Sequence, residues 1–288
     1  MSEAILLVAH GSRSKLGQAE IEELADKVAG ADHRRRVGLG YLELCDPPAP
    51  TTLDRLVEAG AHRVAVVPLM LLAAGHSKSD VPAVVLEARA RHPGVEFIYG
   101  RPLGTDHSLV ALAASRIEEA GAAGLPLALL TRGTSDPDAN AEACKIARLV
   151  ADSTGAALAV AGFAGVAQPS VPEALEQLGR LGAARIVVFS WFLATGVLLG
   201  RIQSEAGEFA ERTGIDVIDG GHLGPDSQLV DLVLARADEA FANQVHVNCD
   251  TCVYRKPFPG FEDRVGLQVG IGHSHLAVSH RHGAAHIA

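Results

Sequence analysis

Two histidines stand beside glycines at places where a folded chain could put them to work. His10 lies in LLVAHGSR and His76 in LLAAGHSK. A neutral imidazole holds a divalent ion or takes up a proton near neutral pH. Glu43, in GYLELC, adds a carboxylate that can do either. Two imidazoles and a carboxylate would leave coordination positions open on an ion. Thiolates would hold it harder. The plain alternative for each histidine is a loop residue bonded to the backbone, and for Glu43 a solvated side chain. What lifts the three above that is a common location, which depends on the elements around them.

Ala4 to Ala9 (AILLVA) is a continuous apolar run that suits a strand buried on both faces. A helix-period stretch follows around Ile21, Leu24, Ala25 and Val28. Val37 to Leu44 is a second strand, a helix starts at Pro50, and Arg63 to Leu72 (RVAVVPLMLL) is a third strand. Ser79 to Arg91 is helical, with Pro82 in its first turn, and Glu96 to Tyr99 is a short fourth strand. Strands alternating with helices predict a parallel α/β sheet. His10 and His76 then follow the carboxyl ends of parallel strands, and Glu43 ends another. That rim is where such sheets bind ligands.

The pattern recurs. LALLT followed by RGTSDPDANAEACKIARLV has the layout of the first strand and helix. His10 falls on Arg132, an offset of 122 (132 − 10), and the same offset sets Pro47 on Pro169 and Val66 on Val188. A spacing that holds over several elements without gaps indicates duplication. The chain divides into an N-terminal lobe (1–121), a repeated lobe (122–244) and a tail (245–288) that has no hydrophobic period. By the offset, Gly165 replaces Glu43 and Leu198 replaces His76. One site per chain is expected, in the first lobe.

LLVAHGSR, LLAAGHSKSDVP and the strand-end Glu43 resemble the sirohydrochlorin chelatase family of the CbiX type. RGTSDPDAN and FLATGVLLGRI fit its long, duplicated form, so the resemblance covers nearly the whole chain. It implies a class II chelatase-like fold, with two doubly wound parallel α/β lobes facing a cleft and an irregular C-terminal tail. It implies ATP-independent insertion of Co²⁺ or Fe²⁺ into sirohydrochlorin, in cobalamin or siroheme synthesis. By position, His10 and His76 match the family's metal-binding histidines and Glu43 its active-site acid.

A substrate with many carboxylates asks for basic partners. Arg132 and Arg201 of the second lobe are candidates, with Arg13, Lys15 and Lys78 of the first. The acids of Ser135–Asp138 read as helix-capping groups. In the tail, Cys249 and Cys252 form a CxxC. It supplies part of an iron–sulfur or zinc site, or a simple thiol pair. The family's MxCxxC has Val247 here in place of Met. His273, His275, His280, His282 and His286 suit loose collection of divalent metal.

The formal net charge of −9 disfavours a nucleic-acid binder. No apolar run approaches the roughly 18 residues of a membrane span, and a cytoplasmic protein is expected. A homodimer is left open. Cobalt is slightly preferred over iron. The rival from another class is a metal-storage or metallochaperone protein without catalysis. A hydrolase with a histidine nucleophile would want Arg before His-Gly, where this chain has Ala9.

Overall fold

The computed structural model describes residues 2–245. Their strands are β1 (Glu3–Ala9), β2 (Arg36–Tyr41), β3 (Arg63–Pro68) and β4 (Glu96–Tyr99), then β5 (Leu127–Thr131), β6 (Ala159–Phe163), β7 (Arg185–Ser190) and β8 (Asp216–His222). Two four-stranded sheets result, ordered β2-β1-β3-β4 and β6-β5-β7-β8. All pairings are parallel. The helices are α1 (Lys15–Ala31), α2 (Ala49–Glu58), α3 (Val81–Arg91), α4 (His107–Glu119), α5 (Pro137–Thr154), α6 (Val171–Arg180), α7 (Val197–Thr213) and α8 (Ser227–Phe241).

Alternation along each central strand divides its side chains between two cores. Ile5, Leu7 and Ala9 of β1 share one core with Leu127 and Leu129 of β5. Ala4, Leu6 and Val8 face α2 and α3, and Ala128 and Leu130 face α6 and α7. One continuous core therefore runs between the two sheets, with α1, α4, α5 and α8 filling it.

The repeat extends to backbone detail. Tyr41 bridges Pro48 and Phe163 bridges Ser170, in each case 122 residues apart (163 − 41, 170 − 48). The division at residue 121 does not describe the packing, however. Helix α4 leaves the first sheet and packs on β7 and β8, while α8 returns to pack on β3 and β4. Each half is closed by the other's last helix. Reciprocal ion pairs fix the exchange. Asp106 caps α4 and takes Arg236 of α8 at 2.8 Å. Asp226 caps α8 and takes Arg116 of α4 at 3.2 Å. Arg236, only 2% exposed, also donates to the Leu103 carbonyl and to Glu239.

Three element boundaries differ from the sequence reading. β2 stops at Tyr41, because the Tyr41 amide turns to the Pro47 carbonyl, and Glu43 lies in the turn beyond. β3 stops at Pro68, and the apolar residues after it still pack inward: Leu69 is buried in the core between the sheets, Leu71 and Leu72 pack against it, and Met70 packs against the core under α2 and α3. The helical stretch after it opens with a wide π-type turn, His76–Asp80, before α3. No helix among the described residues is long and apolar enough to cross a membrane.

Candidate active site

β1 delivers His10 to the rim, and Gly11 then turns the chain at a φ of 101°. A β-carbon on Gly11 would lie 1.8 Å from the Glu43 carbonyl oxygen, so only glycine admits this approach. The Glu43 amide donates to the His10 carbonyl at 3.1 Å. These contacts bring the turn after β2 against the end of β1. They set Glu43 Oε1 3.1 Å from His10 Nε2. His10 Nδ1 lies 3.2 Å from the Gly11 carbonyl. The Gly11 carbonyl only accepts and so favours the proton on Nδ1, whereas the Glu43 carboxylate, which also only accepts, draws it to Nε2.

His76 opens the π-type turn, and its Nδ1 lies 2.6 Å from Asp80 Oδ2. Asp80 is 3% exposed, and it fixes the ring with Nε2 as the lone-pair nitrogen. The turn is braced from β4, where the Tyr99 hydroxyl donates to the Ser77 carbonyl at 2.6 Å. The two imidazole rings meet edge to face, with centroids 4.5 Å apart at 88°. One donor atom each from His10, Glu43 and His76 lie within 4.8 Å of one another. An ion with bonds of about 2.1 Å can be reached by all three after small side-chain adjustments. Burial pushes the His10 proton affinity below its ordinary value, helped by the neighbouring His76 and Arg132 and opposed by Glu43. His10 is therefore neutral at neutral pH, the form that can coordinate.

The second half reaches into this site. Arg132, at the end of β5, places Nη1 3.2 Å from His10 Nε2. The sequence reading assigned it to the substrate; in the structure it borders His10 Nε2, the nitrogen 3.1 Å from Glu43. Lys78 corrects that reading outright. Its side chain is 3% exposed, with Nζ 2.8 Å from Asp136 and 3.1 Å from Asp138 of the second half. A buried ammonium held by two carboxylates is not available to a substrate. The expected capping acids have this second task, since Asp136 also accepts from the Asp138 amide at the start of α5. Arg13 and Lys15 are exposed. Arg201 is exposed on α7 and pairs with Glu205 at 2.6 Å.

Sequence reasoning missed Asp80. The signal was its spacing, four residues after His76, which a helical turn converts into contact. In the second half Gly165 stands where Glu43 does in the first. A β-carbon there would lie 2.5 Å from the Arg132 carbonyl oxygen, so no acid fits. Cys249, Cys252 and the histidines at 273, 275, 280, 282 and 286 lie outside the described residues.

The family model of CbiX matches residues 4–120 and again 126–240. The chain is 35% identical over 260 residues to the sirohydrochlorin cobaltochelatase of Priestia megaterium, covering 88% of this chain and 85% of that protein. It is 30% identical over 207 residues to the sirohydrochlorin ferrochelatase of Bacillus subtilis (strain 168), covering 71% of this chain and 79% of that one. Among solved structures, SirB from Bacillus subtilis with Fe³⁺ superposes with a TM-score of 0.76 at 28% identity. That match covers 84% of this chain and 97% of the other.

Proposed function

The chain belongs to the CbiX family, and on that footing we propose that it inserts Co²⁺ or Fe²⁺ into sirohydrochlorin. It is an ATP-independent chelatase, hence a lyase. The observation that carries the reading is the donor set. His10 and His76 each have Nδ1 tied to an acceptor, His10 Nε2 lies 3.1 Å from the Glu43 carboxylate, and one donor atom of each of the three lies within 4.8 Å of the others.

The chemistry asks for what this set provides. A hydrated ion must exchange its waters for ring nitrogens while pyrrole protons leave. Two neutral imidazoles take the ion without enclosing it, so the ring can approach from the cleft side. Glu43, beside His10, accepts a pyrrole proton as the ion moves off the imidazoles. For the substrate's carboxylates, the exposed Arg13 and Arg201 are the candidate partners.

Cobalt is the favoured metal, because the similarity to the cobaltochelatase is both higher and more extensive than that to the ferrochelatase. Iron is the second reading and rests on the ferrochelatase likeness and the iron-bearing SirB fold. Anaerobic incubation with sirohydrochlorin and either ion, followed by absorption, decides. Acceleration over the metal-only control is expected for at least one ion. Its absence for both defeats the chelatase reading and leaves metal storage.

Beyond the described residues, the five tail histidines gather the ion rather than pass it to the ring. Removing the chain after Asp263 should leave turnover at saturating metal unchanged. A cluster at Cys249 and Cys252 would appear as iron and acid-labile sulfide in anaerobically purified protein. A homodimer would show in sedimentation.

A further inference from the structure

We infer that Arg132 is a placeholder for the incoming ion, which must be displaced before His10 can coordinate. The inference rests on the metal-site reading above. Its basis is one lone pair with two claimants. With the proton on Nδ1, the tautomer that satisfies the Gly11 carbonyl and Arg132 together, Nε2 is the acceptor. Arg132 Nη1 lies 3.2 Å away and, being a guanidinium, can only donate. A metal ion would bind that same nitrogen. Both cannot use it at once.

The rest of the geometry favours competition over a structural bond. Arg132 is an exposed side chain on the far half of the molecule. It comes from the end of β5, whose backbone stays fixed in the sheet, so its long side chain can swing away without moving an element. By the 122-residue offset it stands where the first half has His10 itself (132 − 10). Its positive charge persists at any working pH. After displacement it still leaves a positive charge near the dication and opposes it, at an exposed position where solvent and salt screen part of the repulsion. The consequence is an ion that loads weakly and leaves readily. For a protein whose task is to hand the ion on, that is the useful direction. Glu43, 3.1 Å from the same nitrogen, supplies the opposing attraction that keeps loading possible at all.

The test is Co²⁺ titration of the full chain without tetrapyrrole, followed by the ligand-field spectrum and by calorimetry. Arg132→Met should bind Co²⁺ at the His10 site roughly ten- to a hundredfold more tightly than the unaltered chain. Arg132→Lys keeps the charge and should stay near the unaltered chain. A ring-¹⁵N spectrum of the metal-free protein should show the His10 Nε2 resonance moving towards its unbonded position in Arg132→Met. Such a movement requires a lost hydrogen bond and does not follow from a general loosening. His10→Ala, measured alongside, should abolish binding at this site. Equal or weaker Co²⁺ binding by Arg132→Met, with binding still dependent on His10, overturns the placeholder role alone. Binding that survives His10→Ala overturns the metal-site reading, and the placeholder role with it.

Discussion

The two halves share strand order, bridges and helix-capping positions, yet chemistry gathers at one end of the cleft. His10, Glu43 and His76 answer to Arg132, Gly165 and Leu198 at an offset of 122 (132 − 10, 165 − 43, 198 − 76). The N-cap Ser14 answers to Asp136, Lys78 to Gly200 and Asp80 to Ile202 by the same step. The sheets tolerate both sets, because all these residues lie past the strands, and function resides in what the scaffold carries. The second half is not simply a spent copy. Arg132 and Asp136 both reach into the first half's site.

The largest expected effect tests that asymmetry directly. His10→Ala or His76→Ala should reduce metallation to the metal-only control, measured with Co²⁺ and sirohydrochlorin. Leu198→Ala, at the counterpart of His76, should leave the rate within about twofold, as a residue outside the coordination set. Equal losses on the two sides would dissolve the comparison. Next comes Asp80→Asn, which removes the carboxylate behind His76. Metal affinity should weaken by about 10- to 100-fold with the fold intact. Its counterpart Ile202 is an ordinary core residue.

Stability sharpens the contrast at Lys78 and Gly200. Lys78→Met leaves Asp136 charged, 4% exposed and without its ammonium. A loss of about 3–5 kcal/mol is expected in denaturant unfolding. Adding Asp136→Asn and Asp138→Asn should restore part of it. Gly200→Ala meets nothing within 4 Å in an exposed turn of α7 and should gain up to about 1 kcal/mol.

The smallest effect concerns acid. Burial raises the Asp106 carboxyl, but its bonds from the Ser108 amide and from Arg236 outweigh this and hold it below its ordinary 3.8. Its contribution is therefore complete above that value and is lost as pH falls through the lower, folded one. The stability gap between the unaltered chain and Asp106→Asn should narrow below about pH 4. A gap independent of pH would remove the charge from the account of the helix exchange.

The sequence made the sheets legible because AILLVA and LALLT are buried on both faces and have no other reading. It also made His10 and His76 legible, since each follows such a run. It overran β3, because Leu69 to Leu72 stay apolar and pack on the cores after the ladder has ended. Hydrophobicity alone does not mark where a ladder ends. Lys78 was misread as substrate-facing because its partners lie 58 and 60 residues away (136 − 78, 138 − 78). Arg132 was expected to bind substrate, and its contact with His10 came from the fold and not from any spacing in the sequence. The exchange of α4 and α8 was invisible for a deeper reason. In a duplicated chain either helix satisfies either sheet, so the pattern reads the same whether or not they trade places.

That trade constrains how the molecule can move. Were each half self-contained, the cleft could open like a jaw on the linker at 120–126. Instead the two connections that cross over, with Asp106 and Asp226 at their ends, are buckled to Arg236 and Arg116. The halves are interlaced like clasped hands. The exchanged helices therefore hold the two halves together by packing as well as by these ion pairs. Cutting the linker would not release two lobes. The severed halves should remain interwoven and continue to work as one.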